Sequence, residues 1–211
     1  TGIAMIFVDR AGENVIAVLP GANASLGVAE AEAALADMRP GDVLLLQQEV
    51  PQAATARALE LARRQGVISI LNTAPFLPDT AALAGQASIL VANETEFALL
   101  AGTDALAPAL QDWAKQHDQT VIVTLGPDGA RAATPDTSFS VPALRVEPVD
   151  TVGAGDTFCG YLAAGLDRGL PLEAAMRRAA VAGSLACLKP GAQPAIPYAE
   201  AVDAALSSGS S

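Results

Sequence analysis

The order of hydrophobic and polar positions predicts strands that alternate with helices. Short apolar runs bounded by glycine, proline or polar residues are typical of strands buried on both faces of a parallel sheet. The predicted strands are Ile3–Val8, Val15–Leu19, Val43–Leu46, Val67–Leu71, Ile89–Val91, Val121–Thr124 and Ala130–Thr134. The predicted helices are Ala29–Met38, Pro51–Gln65, a short one before Ile89, one opened by Asn93, one around Trp113, one beginning near Asp156, Leu172–Leu188 and Tyr198–Leu206.

This alternation predicts an α/β fold with three layers, in which helices flank a mostly parallel sheet joined by right-handed crossovers. The first two strands are separated by the turn-like cluster Asp9–Asn14, which favours a β-hairpin at the N-terminus. The run after Pro127-Asp128-Gly129 adds a second antiparallel piece, because Pro-Asp-Gly is a turn sequence.

The stretch Val149–Phe158 is the most informative for chemistry. Extended chain over Leu144–Val149 leads into a glycine-rich turn, after which apolar residues recur at helical spacing. Glycines expose backbone amides there, and a helix N-terminus adds unpaired N–H groups and a positive dipole end, so the stretch predicts an anion site. Asp156 beside such a site favours a general base for an attacking hydroxyl. A tight turn with Asp156 as helix cap accounts for the same residues.

Composition narrows the class of protein. The chain has 211 residues, 51% of them hydrophobic and 17% charged, which is typical of one globular domain rather than a disordered chain. A net charge of −11 disfavours nucleic-acid binding, which depends on Lys and Arg. No apolar run reaches the length of a membrane span, no signal peptide opens the chain, and the two cysteines lack CxxC spacing. We therefore expect a cytoplasmic protein with reduced thiols and no membrane partner.

The segment Asp150–Phe158, with the sequence DTVGAGDTF, resembles position for position the C-terminal signature of the ribokinase-type family of carbohydrate kinases. The resemblance extends from Thr1 to about Ala205 and implies an enzyme, a phosphotransferase with an alcohol acceptor that uses ATP. It implies that Asp156 is the catalytic base and contacts the sugar, and that Gly153, Ala154 and Gly155 form an anion hole.

The resemblance also implies a nucleotide site. The segment after the strand Val121–Thr124 is similar to the family's nucleotide-contacting loop, although a plain hairpin turn is an alternative for it. Ala180 stands where the family often has a polar side chain near the adenine, so we expect an apolar or looser purine contact. The implied nucleotide-binding residues are Asn93, Thr124, Leu125, Gly126, Pro127, Asp128, Gly129, Gly155, Asp156 and Ala180.

Two metal sites are implied in the same way. Asn93 and Glu96 have the spacing of a helix capping box, and Asn-x-x-Glu also resembles the family motif associated with Mg²⁺ and phosphates, so Glu96 is expected to hold Mg²⁺ through water. The Pro- and Gly-rich loop 189–197 resembles one that holds a monovalent cation, expected to be K⁺. The matching positions are Asp150, Val152, Ala186, Lys189, Gly191 and Ala195.

Glu49 follows a predicted buried strand, where open α/β sheets place ligands. It matches a ribose contact in the ribose-phosphorylating branch of the family, which Gly21-Ala22-Asn23 and the loop Lys189–Pro194 also resemble. The implied reaction transfers the γ-phosphate of ATP to a primary hydroxyl of D-ribose, giving ribose 5-phosphate. Kinases of fructose, 2-keto-3-deoxygluconate or nucleosides remain alternatives.

Family members carry an N-terminal region before the point at which this chain begins, so we expect residues 1–206 to be a kinase domain that lacks this part. Residues 1–24 would contain part of a β-lid over the sugar, through which we expect a homodimer, and residues 207–211 a flexible tail. A non-catalytic nucleotide-binding fragment remains open. A dinucleotide-dependent oxidoreductase is disfavoured, since no G-x-G-x-x-G follows the first strand.

Overall fold

A six-stranded sheet and a two-stranded ribbon form the β structure of the chain, of which the computed structural model describes residues 2–8 and 14–208. The strands are β1 (Ile3–Val8), β2 (Asn14–Leu19), β3 (Val43–Leu46), β4 (Ile68–Asn72), β5 (Ile89–Asn93), β6 (Thr120–Thr124), β7 (Ala130–Ala133) and β8 (Ser138–Val141). The α-helices are α1 (Val28–Leu35), α2 (Gln52–Gln65), α3 (Thr80–Ala84), α4 (Glu94–Ala101), α5 (Leu106–His117), α6 (Ala154–Asp167), α7 (Leu172–Ala186) and α8 (Ala199–Ser208).

The large sheet has the strand order β3-β4-β5-β6-β7-β8. Its first four strands are parallel, with Leu45 opposite Ile70 and Val91 opposite Ile122, and the last two are antiparallel to their neighbours. The predicted mixed, mostly parallel sheet is therefore confirmed. Because β3 to β6 run in one direction, their carboxyl ends lie on a single edge of the sheet.

Both faces of the sheet are covered by helices, so the predicted three layers are confirmed. Neighbouring residues of a strand point to opposite faces, and the core divides accordingly. Ile122 packs on one side with Phe158 of α6 and Met176 of α7. Val121 and Val123 pack on the other side with α4 and α5.

The segment before α6 differs from the prediction. Residues 144–149, predicted as extended chain, form no strand, and the sequence pattern missed β8, which pairs with β7. Prolines at 142 and 148 supply no amide for a ladder, and the amide of Leu144 donates to Ser184 Oγ instead. The strand β8 escaped prediction because its sequence, Ser-Phe-Ser-Val, is short and half polar.

Several element ends also differ. Helix α6 begins at Ala154, two residues before the predicted start, and α8 continues to Ser208, so the first two residues of the predicted tail are helical. Residues 209–211 lie outside the described part, as do residues 9–13 of the predicted first turn; Asn14 already belongs to β2. The single histidine, His117, ends α5 half-buried and packs against Trp113 with ring centroids 4.3 Å apart.

The ribbon of β1 and β2 confirms the predicted antiparallel pairing, with Ile3 opposite Leu19. It is unusually apolar for an exposed element: Ile3 is 60% exposed, Val18 53% and Leu19 52%. Elsewhere, no helix within the described residues has both the length and the apolar character needed to cross a bilayer.

Candidate active site

The polar residues predicted to bind ligands lie along the edge of the sheet where the parallel strands end. Glu49 follows β3, Asn93 ends β5 and begins α4, and Thr124 ends β6. Parallel α/β sheets bind ligands in this position because the loops there leave a crevice between strand ends and helix N-termini.

The first turn of α6 has the backbone geometry of an anion site. Gly153 is the N-cap with a left-handed φ of 76°, and Thr157 donates to its carbonyl from both the amide (2.9 Å) and the hydroxyl (2.8 Å). The amide of Ala154 donates to the Thr151 carbonyl at 3.3 Å. The amides of Gly153, Gly155 and Asp156 have no acceptor within the described part of the chain, so the turn presents unpaired donors at the positive end of the helix dipole.

Asp156 is the third residue of α6 and is exposed. It does not cap the helix, because the N-cap is Gly153 and no side chain accepts a capping hydrogen bond from the first turn. Its carboxylate has no hydrogen bond or ion pair to any other described residue. The sequence left a capping role open, and the geometry removes it, leaving an acid that is free to meet a ligand.

Cys159 lies on the buried face of α6, close behind Asp156 in sequence. Burial raises the pKa of the Cys159 thiol to about 12, and the negative charges of Asp156 and then Glu96 add to the shift. This thiol therefore stays protonated at neutral pH.

A cavity of about 620 Å³ extends from the first turn of α6. It brings together the start of α6, the turn after β6 and the middle of α7, three segments that contain predicted nucleotide-binding residues. Of the predicted residues, Thr124, Gly126, Pro127, Asp128, Gly129, Ala154, Gly155 and Ala180 line it. Asn93, Leu125 and Asp156 do not line it.

The turn between β6 and β7 approaches its neighbours so closely that it requires glycine. Gly126–Asp128 form a 3₁₀ turn, and Gly129 has a φ of 94°. A Cβ on Gly129 would lie 2.1 Å from the carbonyl oxygen of Val141, where no atom fits. The turn is thereby held against the end of β8, and Gly126, Pro127, Asp128 and Gly129 all line the cavity.

Ser184 and Cys187 line the same cavity but were missed in the sequence. Ser184 Oγ donates to the carbonyl of Ala180 at 3.0 Å and accepts from the amide of Leu144 at 3.2 Å. It thereby holds the irregular segment before α6 against α7. The available signal was helical spacing, because Ser184 lies one turn after Ala180 on the same face.

Asn93 and Glu96 form the capping box expected from their spacing. The amide of Glu96 donates to Asn93 Oδ1 at 2.8 Å, and the amide of Asn93 donates to Glu96 Oε2 at 3.0 Å. The same Oε2 accepts a further hydrogen bond from the buried hydroxyl of Thr73 at 2.8 Å. The capping role and a metal role are compatible, because all of these bonds reach only one of the two carboxylate oxygens.

Asp150 connects the loop before α6 to the loop after α7. Its two oxygens accept from the amides of Val152 (3.0 Å) and Gly191 (2.8 Å). These hydrogen bonds, the one from Gly191 first, lower the pKa of the Asp150 carboxyl. Of the other predicted cation residues, Ala186, Lys189 and Ala195 flank this junction without a hydrogen bond to Asp150 among the described residues.

Glu49 is exposed on the loop after β3 and does not line the nucleotide cavity. Its neighbour Gln48 is buried, with its amide bonded to the Ala74 carbonyl and its Nε2 bonded to Thr80 Oγ1 at 2.7 Å. The loop is thus anchored to the segment that follows β4, while Glu49 itself stays accessible. In the described part of the chain, no cluster of three or more His, Cys, Asp or Glu is placed to hold a metal ion.

Comparison with known proteins identifies the family. The model of the pfkB family of carbohydrate kinases matches residues 1–199. The chain belongs to this family. Its members are phosphotransferases with an alcohol group as acceptor, so the predicted ribokinase-type resemblance and enzyme class are confirmed.

Curated relatives in this family include a bifunctional ribokinase/ribose-5-phosphate isomerase A from Fructilactobacillus sanfranciscensis, 36% identical over 96% of this chain and 38% of that protein. A deoxyribokinase from Salmonella typhi is 32% identical over 98% of this chain and 70% of that protein. The chain thus spans between about a third and about two thirds of the length of these relatives.

Solved structures agree with the fold. The ribokinase of Thermotoga maritima superposes with a TM-score of 0.86 at 32% identity, over 98% of this chain and 70% of that one. The ribokinase of Arabidopsis thaliana, complexed with ribose and ATP, gives a TM-score of 0.83 at 26% identity, over 98% and 69%. Each superposition covers nearly all of this chain.

Proposed function

We propose that the chain carries the phosphoryl-transfer centre of an ATP-dependent kinase that converts D-ribose to ribose 5-phosphate. The observation that carries the proposal is the first turn of α6, which has unpaired amides and borders, through Ala154 and Gly155, the cavity shared with the turn after β6. The names of the relatives support the sugar, since several of the matched proteins are ribokinases and one was solved with ribose and ATP.

In this proposal Asp156 is the general base. As the primary hydroxyl oxygen of the sugar forms its bond to the γ-phosphorus, its proton passes to the Asp156 carboxylate. The bond between the γ-phosphorus and the bridging oxygen breaks, and ADP leaves with the electron pair. The amides of Gly153 and Gly155, with that of Ala154 after its bond to Thr151 is exchanged, would donate to the equatorial phosphate oxygens.

The nucleotide would occupy the 620 Å³ cavity. The glycine-rich turn 126–129 lets its backbone approach closely, and Ala180 provides an apolar surface for the purine. Asn93 and Leu125 would act from the cavity's margin, through the box with Glu96 and the start of the turn.

Glu96 fits the role of a water-mediated ligand of Mg²⁺. Its carboxylate is half-buried, and Oε2 takes the bonds from Thr73 and Asn93, which leaves Oε1 for bound water. Mg²⁺ retains several waters and needs few carboxylates. When bound with the nucleotide, it would neutralise charge on the transferred phosphoryl group.

The junction of Asp150 fits a monovalent cation such as K⁺. The low pKa keeps this carboxylate ionised, and each oxygen that accepts an amide retains a further lone pair. The carbonyl oxygens of Val152, Ala186, Lys189, Gly191 and Ala195 would complete an all-oxygen donor set. A cation there would hold the loop that precedes the first turn of α6.

Glu49 would contact the sugar from the end of β3, beside α6.

Transfer to 2-deoxyribose is the second candidate, because the Salmonella typhi deoxyribokinase is 32% identical over nearly the whole chain. The test is ADP release with D-ribose, 2-deoxyribose or fructose at equal concentration. We expect the highest kcat/KM with D-ribose. If 2-deoxyribose or fructose gives a higher kcat/KM, that sugar rather than ribose is the substrate.

A homodimer through the ribbon of β1 and β2 is proposed from its exposed apolar face. Ile3 and Leu19 lie opposite each other, and Met5 follows on the same face. A two-stranded ribbon without a packed face is marginally stable in water. In sedimentation experiments Met5→Lys should dissociate the dimer, whereas Leu99→Glu, at an exposed position on α4, should not. A dimer that survives Met5→Lys contradicts this contact.

A cytoplasmic location is proposed on two grounds. The cysteines, Cys159 and Cys187, are free rather than paired, and reduced thiols are typical of that compartment. The proposed cosubstrate, ATP, is supplied there. Labelling of the intact protein in fractionated cells tests the location, and recovery outside the cytoplasm would contradict it.

A further inference from the structure

Thr73 is fully buried immediately after the end of β4. Its amide donates to the Val91 carbonyl at 3.0 Å, which extends the pairing of β4 with β5 by one residue. Its hydroxyl lies 2.8 Å from Glu96 Oε2 and 3.4 Å from the Val91 carbonyl. A hydroxyl has one proton, and the shorter, charge-assisted contact takes it. The result is a hydrogen bond between a strand end and the acid on the first turn of α4.

This bond adds something that the capping box alone lacks. The box bonds Glu96 only to Asn93, three residues away, so it fixes the carboxylate relative to its own helix. Thr73 fixes the same carboxylate relative to β4, a different element. Both donors bind Oε2, so the carboxylate plane is held and Oε1 is left without a protein donor among the described residues.

The geometry points to Thr73 as a positioning residue for the proposed Mg²⁺ site: its hydroxyl holds Oε2 of Glu96 so that Oε1 faces the metal's water. The inference rests on the proposed function, since it concerns the metal bound with the nucleotide. Partners that orient a metal-binding carboxylate typically contribute a factor of about 10 or more in metal affinity. If the hydroxyl served only to satisfy the half-buried carboxylate of Glu96, its removal would lower the stability of the fold and leave the Mg²⁺ dependence of ADP binding unaltered.

The test compares ADP binding with and without Mg²⁺ by calorimetry on the full chain. Thr73→Val removes the hydroxyl and keeps the shape of the side chain. We expect it to weaken binding of Mg·ADP about tenfold and to leave binding of metal-free ADP unchanged, with a raised Mg²⁺ requirement for turnover. Thr73→Ser, which keeps the hydroxyl, should restore wild-type values.

If Thr73→Val does not fold, the comparison of Thr73→Ser with Thr73→Ala tests the positioning role, because these two variants differ only in the hydroxyl. Equal Mg²⁺ dependence in this pair, or equal weakening with and without Mg²⁺, overturns the positioning role. A wild-type chain whose ADP binding does not respond to Mg²⁺ overturns the role and also contradicts the proposed Mg²⁺ site. If ADP binding by the wild-type chain responds to Mg²⁺ and the variants respond equally, the positioning role of Thr73 is overturned and the proposed Mg²⁺ site is not.

Discussion

Gly155 and Gly160 both belong to α6, and a Cβ at either position would meet nothing within 4 Å. Alanine is the better helix former, so either substitution should raise the free energy of unfolding by up to about 1 kcal/mol. Only Gly155 borders the cavity and the unpaired amides of the first turn. The protein leaves the space beside Gly155 empty, and in the proposed function a phosphate of ATP would occupy that space.

Gly155→Ala is therefore expected to keep or increase stability and to lower kcat/KM for ATP roughly a hundredfold, the effect of displacing a reacting group by about 1 Å. Gly160→Ala is the matched control and should keep wild-type activity. Thermal melting and steady-state kinetics on both variants check the prediction. Equal activity in the two variants would mean that the first turn of α6 does not face the phosphates.

At this scale, local patterns were predictable and contacts between elements were not. The Asn-x-x-Glu spacing predicts the capping box, because its two hydrogen bonds span three residues. The bond from Thr73 to Glu96 spans 23 residues and exists because β4 and β5 are neighbours. The same holds for Ser184, whose partner Leu144 is 40 residues away.

At the scale of elements, the hydrogen bond from the Gly191 amide to Asp150 makes the stability of the fold depend on pH. The pKa of Asp150 is lowered, chiefly by the amide of Gly191, so the unfolded chain binds this proton more readily than the folded chain does. The stability that it contributes is complete above the ordinary aspartate pKa of about 3.9. It is lost as the pH falls through the lower folded-state value.

Asp150→Asn should consequently unfold at lower temperature than the wild type at pH 7, and the difference should shrink below about pH 4. An asparagine retains one acceptor oxygen but turns an NH₂ group towards the second amide. Asp112→Asn, at an exposed position on α5, serves as the control and should match the wild type throughout. A difference for Asp150→Asn that is independent of pH would show that the ionised carboxylate is not the cause.

Element boundaries were predictable where residue type decides them. The left-handed Gly66 ends α2 where the sequence predicts it. The start of α6 was placed two residues late, because the pattern of apolar residues begins only at Phe158 while the N-cap is a glycine without a side chain. Strand β8 has no signal of its own, since its pairing with β7 rather than its composition makes it a strand.

For the whole molecule, the alternation of strands and helices predicts the layers, and the parallel order of β3 to β6 then assembles the site. Residues from the ends of β3, β5 and β6 meet on one edge although they are far apart in sequence. Most of the predicted nucleotide residues line one cavity between the turn after β6, the start of α6 and the middle of α7, whereas Asn93, Leu125 and Asp156 do not line it. The roles assigned to these residues remain predictions.

The central claim is that Asp156, exposed on the first turn of α6 and not used as its cap, is the base for phosphoryl transfer. The most direct measurement is the kcat for ATP-dependent ribose phosphorylation by Asp156→Asn in the full chain, with ATP binding measured in parallel. The account predicts a fall in kcat of roughly 10² to 10⁴-fold with ATP binding retained. A kcat close to that of the wild type would contradict it.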